Sequence, residues 1–483
     1  FISKINAIIQ VEKTRGRDAH ISMTRSALVI AYKKHAHLGI KAFYLWGSIT
    51  RDDYQPGRSD IDVFAIVDDS FKTKDEKRVT SSARKSVGLK KFNLNYITIG
   101  ELKGEKRRSK MMLVFPPEVF LMNFAAWKHV VGQHFKRDDF PFTPYSNKEM
   151  AGFQRGKAYK ELKVRQFLEN QRSDFLIKAC MQICYFLNRE SGRDHAYSAN
   201  LLLKHSTDQT RQIIPILLSI RNSNNSPEVI SAHLPALVRF IESVALPYPN
   251  KHLDVFFEEV FPTLERKNMK YWVIGGVAIA GMAGSFVREN KDIDVCVLEQ
   301  DFDLMEKYLS EFCFSMGKTC SLIRRYDDAL NRPIIEIFIN GIERLSVVPI
   351  RRNLDEYELR LDEDVISIGK ELDDRIVALG KHSIVTLQKS IITKILRHDI
   401  ERSIRYYPRK LLDPDSHESK RWVDASIVMS TNEQDSLYSR AVLSAPNEMS
   451  IKIDRYIGLA GIAIRSISPK IYKILKLIAP RFS

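Results

Sequence analysis

The chain has 483 residues, with 75 Lys and Arg against 59 Asp and Glu, a formal net charge of +16. Its 44% hydrophobic and 28% charged residues are ordinary globular usage, which excludes a disordered or fibrous chain, and the length suits two large domains or three of typical size. The basic excess points toward an anionic partner and away from an acidic solvating protein.

The opening, through Tyr32, reads as helix, with Ile5, Ile8, Ile9, Leu28, Val29 and Tyr32 at helical spacing. Short β-rich runs follow at 41–46, 62–67 and 93–99, bounded by turn chemistry such as TRDDYQPGRSD. From 104 to 246 the pattern is helical, with Trp127, Ile183 and Phe186 among the core candidates. The prolines of ALPYPNK, 245–251, mark a junction. The order then repeats: a helix over 252–267, a strand over 271–274, a glycine turn and a helix, then strands near 293–298, 319–325, 333–339 and 345–349, with helices again from Lys381. The expectation is an α+β protein with a sheet module over 1–103, a helical domain over 104–250, a second sheet module over 251–352 and a helical domain over 353–483.

Five cysteines, at 180, 184, 296, 313 and 320, form no CxxC pair, which argues against disulfides or structural zinc and for a reduced, cytoplasmic setting. The uncharged run Tyr271–Val287 is interrupted by Gly275, Gly276, Gly281 and Gly284 and followed by RENKDID. It reads as a buried strand, turn and helix rather than a membrane span, and no signal segment is visible.

Two carboxylate motifs carry the chemistry. In YLWGSITRDDYQPGRSDIDVFAIV a strand ends at Gly47-Ser48, and eleven residues separate Ser48 from Asp60. Asp60 and Asp62 head the next strand and project to one face, with Ile61 turned into the core. Two adjacent carboxylates repel unless a cation sits between them, and Mg²⁺ favours such oxygen ligands while keeping places for phosphate and water. The glycine leaves room for phosphate near the backbone, and Ser48 offers it a hydrogen bond. In YWVIGGVAIAGMAGSFVRENKDIDVCVLEQ, Gly275-Gly276 follow a strand, and fifteen residues separate Gly276 from Asp292, which with Asp294 starts another strand.

The first segment resembles the DNA polymerase β-type nucleotidyltransferase superfamily, whose hallmark is Gly-Ser, a spacer and Asp-x-Asp; Arg51 sits where small members often carry Arg. The resemblance implies a third carboxylate on a neighbouring strand. Here that strand, KKFNLNYITIG, offers neutral Asn93 and Asn95, and the nearest acid is Glu101, so the first module reads as impaired unless it recruits Glu101. The second segment is similar to the lincosamide and aminoglycoside branch, with Gly-Gly and Arg288 four positions before Asp292. Glu336, in the apolar strand NRPIIEIFING, would complete a metal-binding and catalytic set of Asp292, Asp294 and Glu336; the alternative makes it a salt-bridged structural residue.

The resemblance implies Mg²⁺, or Mn²⁺ in its place, and an NTP, with ATP as default. Asp60 and Asp62 are metal candidates in the first module. Gly275, Gly276 and Arg288, with Gly47 and Ser48 in the first module, would hold phosphates. Relatives close a helix over the nucleotide with a lysine; in the helix over 384–407 that is Lys389 or Lys394, unless both belong to a solvated face. Basic runs include KGEKRRSK (103–110), YYPRK and SKRW, and the segment from Ser450 mixes isoleucine with Lys and Arg. The reading is nucleoside monophosphate transfer to an acceptor hydroxyl with release of pyrophosphate. The charge favours RNA, such as a tRNA end, or another nucleotide as acceptor; a small antibiotic-type molecule or a protein hydroxyl is the alternative. The competing class is a non-catalytic scaffold binding nucleotide or nucleic acid.

Overall fold

The structure, a computed structural model, describes residues 16–445 except 51–53, 55, 57–58, 88–91, 104–116, 123, 125–126, 166–173, 189–207, 224–226, 328–331, 341, 362–363, 413–415 and 417. Ile5, Ile8, Ile9, Arg51, the basic run after Lys103 and the segment from Ser450 lie outside the described residues. The chain divides into two units: 1–151, 181–224 and 339–342 form one, and 152–180, 225–338 and 343–483 form the other.

In the first unit, β1 (Ile40–Trp46), β2 (Ile61–Val67), β3 (Phe92–Thr98) and β4 (Lys128–Gly132) form a sheet in the order β3–β2–β1–β4. β2 runs antiparallel to β1 and parallel to β3. The central strands are apolar on both faces because both faces are covered. Phe43, Leu45, Val63 and Ala65 pack with Leu28 and Ala31 of α1 (Arg17–His35) and Val79 and Ala83 of α2 (Thr73–Val87). Ala42, Tyr44, Phe64 and Ile66 turn the other way, onto Phe120, Trp127, Phe135 and Phe140.

His35 closes α1 at 1% exposure, and neither ring nitrogen has a hydrogen-bond partner among the described residues. Burial, then the charges of Arg78, Lys34 and His37, hold its pKa below the usual histidine value. The unfolded chain takes up this proton near pH 6.5 and the folded chain resists it. Stability is therefore present above that pH and is lost as the pH falls toward the depressed folded value. We expect His35→Leu to flatten the loss of urea stability between pH 7 and pH 5; an unchanged slope would count against this account.

In sequence between β4 and β5 the chain runs through α3 (Asn147–Arg165), α4 (Asp174–Asn188) and α5 (Pro227–Ser243), whereas the earlier part of the stretch expected to be helical, 104–250, contributes β4 to the first sheet because it pairs with β1. In the second unit, β5 (Trp272–Ile274) leads directly into α6 (Gly275–Met282), and β6 (Ile293–Leu298) into α7 (Phe302–Met316) by way of a short turn. Then come β7 (Cys320–Asp327), β8 (Arg332–Ile339), β9 (Ile342–Asn353), β10 (Glu356–Leu361), β11 (Asp364–Gly369), β12 (Arg375–Leu379) and β13 (His382–Thr386). The sheet order is β11–β10–β9–β6–β5–β13–β12, with β8 joined to β9 and β7 to β8. β5 is antiparallel to β6, and β6 is parallel to β9. The expected helical domain from 353 thus begins with four strands, because β10 pairs onto β9 and β13 finds β5 far back in the sequence. Helices α8 (Lys389–Tyr406), α9 (Lys420–Val428) and α10 (Thr431–Ser444) follow, and α6, α8 and α9 pack on one another.

All five cysteines are buried free thiols. Among the described residues no helix is long and apolar enough to cross a membrane.

Candidate active site

One local device recurs in both units. Each first strand ends in a glycine of positive φ, Gly47 at 76° and Gly275 at 64°, a conformation that side-chain-bearing residues avoid. The strand residue before each pairs with the second aspartate of the motif: Trp46 with Asp62, and Ile274 with Asp294. A β-carbon on Gly47 would meet Asp62 Oδ2 at 2.7 Å, and one on Gly275 would meet Asp294 Oδ2 closer still. In each unit, then, the bare glycine lets a carboxylate lie against the turn. A β-carbon on Gly276 would collide with Asn290 and the Arg288 guanidinium.

The two carboxylate pairs differ in their surroundings. Asp60 is exposed and Asp62 half-buried. In the second unit Asp292 and Asp294 line a cavity of about 120 Å³ with Gly275, Gly276, Arg288, Asn290, Lys291, Asp399, Lys420, Arg421 and Asp424, and with apolar Ile279, Ile392, Ile395 and Leu396. Burial raises the pKa of Asp292, against the pull of Lys291, Arg288, Lys420 and Arg344. Burial and then the charges of Asp292, Asp399 and Glu343 raise Asp294 well above the usual carboxylate range. Carboxylates set this close disfavour one another's charged form.

Three of the cavity's cations, Arg288, Lys420 and Arg421, are paired with acids. The Arg288 guanidinium grips Asp424 through both oxygens, Nε to Oδ1 at 2.7 Å and Nη2 to Oδ2. Burial disfavours the Arg288 charge, and Asp424, with Asp292 and Glu289, more than offsets it. Lys420 Nζ lies 3.0 Å from Glu289 Oε2, and burial draws its pKa down to about 8. Asn250, in the junction segment, fixes the loop before Asp292: its amide donates to Arg288 O and its Oδ1 accepts from Asn290 N, both at 3.1 Å.

Several expected residues lie elsewhere. Glu336 is on β8, and β9 stands between β8 and β6. It does not line the cavity, and Arg325 holds both its oxygens at 2.9 and 2.6 Å, which is the salt-bridged alternative. The residue beside Asp294 on β9 is Ser346, not an acid. The further carboxylates that act on Asp294 are Asp399 of α8, which lines the cavity, and Glu343 of β9. Glu343 is raised to about 7 by burial, then by Asp292 and Glu336. Lys389 and Lys394 are exposed and outside the lining; Lys420 and Arg421 of α9 occupy it instead. Their signal was the short basic run SKRW, which reads as a solvated patch in sequence. Glu101 is 1% exposed and caps a helix: its carboxylate accepts Thr98 N–H at 2.9 Å, so it does not serve Asp60 and Asp62.

Residues 31–117 match the family described as nucleotidyltransferase domain, and residues 257–329 match aminoglycoside-2''-adenylyltransferase. Each match falls on one of the two sheets. The matched stretches hold Gly47, Asp60 and Asp62 in one case and Gly275, Arg288, Asp292 and Asp294 in the other, so the nucleotidyltransferase assignment and the shared turn fall on the same residues.

Among solved structures, the chain is similar to a spectinomycin adenyltransferase from Enterococcus faecialis with ATP and spectinomycin, at 14% identity over 46% of this chain and 98% of that one, TM-score 0.32. It is also similar to ANT(2")-Ia in complex with adenylyl-2"-tobramycin, at 14% identity over 40% and 97%, TM-score 0.28. A lincomycin-bound lincosamide antibiotic adenylyltransferase matches at 16% identity over 28% and 80%, TM-score 0.22. No protein with a curated description matches the sequence.

Proposed function

We propose that the second module carries out Mg²⁺-dependent transfer of a nucleoside monophosphate from an NTP, ATP being the first choice, to an acceptor hydroxyl, with release of pyrophosphate. The observation that carries this reading is the half-buried Asp292–Asp294 pair sharing one cavity with Arg288, Lys291, Lys420 and Arg421. The pair is an all-oxygen donor set that suits a hard divalent cation. Among the described residues no group of three His, Cys, Asp or Glu has metal-binding geometry, so triphosphate and water would complete the shell. Asp292 and Asp294 would hold such a cation, which would supply Lewis-acid chemistry.

The remaining work belongs to the chain. Arg288, Lys420 and Arg421 would bind triphosphate oxygens, and Gly275 and Gly276 leave the backbone open to them. Ile279, Ile392, Ile395 and Leu396 give an apolar wall for a base or sugar. Asp399, in the same cavity and close enough to act on Asp294, is the carboxylate placed to accept the proton of the acceptor hydroxyl.

The match of 257–329 to an aminoglycoside adenylyltransferase family supports a small polyhydroxylated amine as acceptor, and Asp399 suits its ammonium groups. The net charge of +16 favours a second reading, an RNA end. The deciding experiment incubates the protein with α-labelled ATP, Mg²⁺ and, separately, aminoglycosides and aminocyclitols, total RNA, or no added acceptor. Label on the small amine, only when Mg²⁺ or Mn²⁺ is present, is the expected result. Label on RNA moves the acceptor to nucleic acid, label on the protein alone moves it to a protein hydroxyl, and no label in any arm overturns the activity.

A further inference from the structure

The first module keeps the glycine turn and the paired aspartates, yet its surroundings do not fit a divalent cation. Asn93 of β3 is the cross-strand neighbour of Asp62. Its Nδ2 donates to Asp60 Oδ2 and to Asp62 Oδ1, each at 3.3 Å. A side-chain amide has two N–H donors on one nitrogen, and here each is aimed at a different carboxylate. The amide thus stands where a bridging cation would have to stand. It supplies positive dipole to both acids and no electron pair. Turning it over would put its carbonyl oxygen against two carboxylates, an arrangement tolerable only with a cation present. Glu101, the acid that the sequence offers nearest to this strand, is committed to its helix cap.

We propose that the first module is a cation-free copy, in which the Asn93 amide performs the bridging that a divalent ion performs in a metal-dependent module. The inference stands apart from the reading of the second module, because it rests on different residues. It makes Asn93, among the described residues, the one that sets the metal state of the first site.

The test uses the full chain with Asp292→Asn and Asp294→Asn, so that the second site is silent, and follows Mn²⁺ by electron paramagnetic resonance. No bound Mn²⁺ is expected. Adding Asn93→Asp should create one bound Mn²⁺ per chain, and Asp60→Asn on top should remove it. Asn93→Asp should also lower the melting temperature without metal, as three carboxylates crowd, and Mn²⁺ should restore it. Asn93→Ala, which removes the amide without adding charge, should give a weaker Mn²⁺ site and guards against misfolding of the acidic variant. The proposal is overturned if the chain with Asn93 intact binds Mn²⁺ and loses it on Asp60→Asn/Asp62→Asn, or if neither Asn93 variant gains Mn²⁺.

Discussion

Replacing Asp292 and Asp294 together with asparagine should abolish nucleotidyl transfer and raise the melting temperature of the protein. Transfer should fall by about 10³-fold or more, on the order of 4 kcal/mol of transition-state stabilisation, because both negative charges that would hold the cation are lost. The stability gain has a separate cause. Asp294 is half-buried, and desolvation first, then Asp292, Asp399 and Glu343, holds its pKa well above the usual range. A carboxyl with a raised folded pKa stabilises the fold fully below its unfolded pKa, and that contribution is lost as the pH rises through the folded value. At neutral pH the pair therefore weighs against folding, and neutral amides should recover about 1–2 kcal/mol. The difference between variant and wild type should shrink as the pH falls toward 4. Mg²⁺ should raise the melting temperature of wild type and leave the variant unmoved. Retained turnover with no change in melting temperature would remove the Asp292–Asp294 pair from the mechanism.

The second large effect concerns the cavity wall. Asp424→Ala should cost about 3–5 kcal/mol, because it strands a buried guanidinium. The Arg288 side chain is 12% exposed and that of Asp424 6%, so little water can replace the lost oxygens. Asp424→Asn keeps one acceptor and should cost less. Urea unfolding of the two variants measures both values. A loss under about 1 kcal/mol for the alanine variant would place the pair among weak surface bridges instead. Because Arg288 also lines the cavity, the asparagine variant should alter KM for NTP more than kcat.

What the sequence made legible was local. A strand, a glycine turn and Asp-x-Asp lie within one stretch of chain, and strand alternation fixes where Asp292 and Asp294 point. The position of Glu336 is a matter of strand order. An acid in an apolar strand has to be paired, but whether with metal or arginine depends on β9 entering between β6 and β8. The choice of lysine failed for a related reason. The helix expected over 384–407 is α8 from Lys389 onward, with its first residues, 384–386, in β13 instead, and Ile391 and Ile395 are buried. That Lys420 of α9 would reach the cavity depends on packing among α6, α8 and α9, which no spacing encodes. The strands after 353 were hidden because their partners, β9 and β5, are set by tertiary pairing.

The glycine turn that presses on Asp62 in one unit and on Asp294 in the other bears on how catalytic centres are counted. Neither Gly47 nor Gly275 can take a side chain without displacing an aspartate, so backbone sterics alone keep the motif intact whatever chemistry remains nearby. A scan for this motif scores two reaction centres per chain. A stoichiometric measure, such as the burst of pyrophosphate released per mole of protein, should return one.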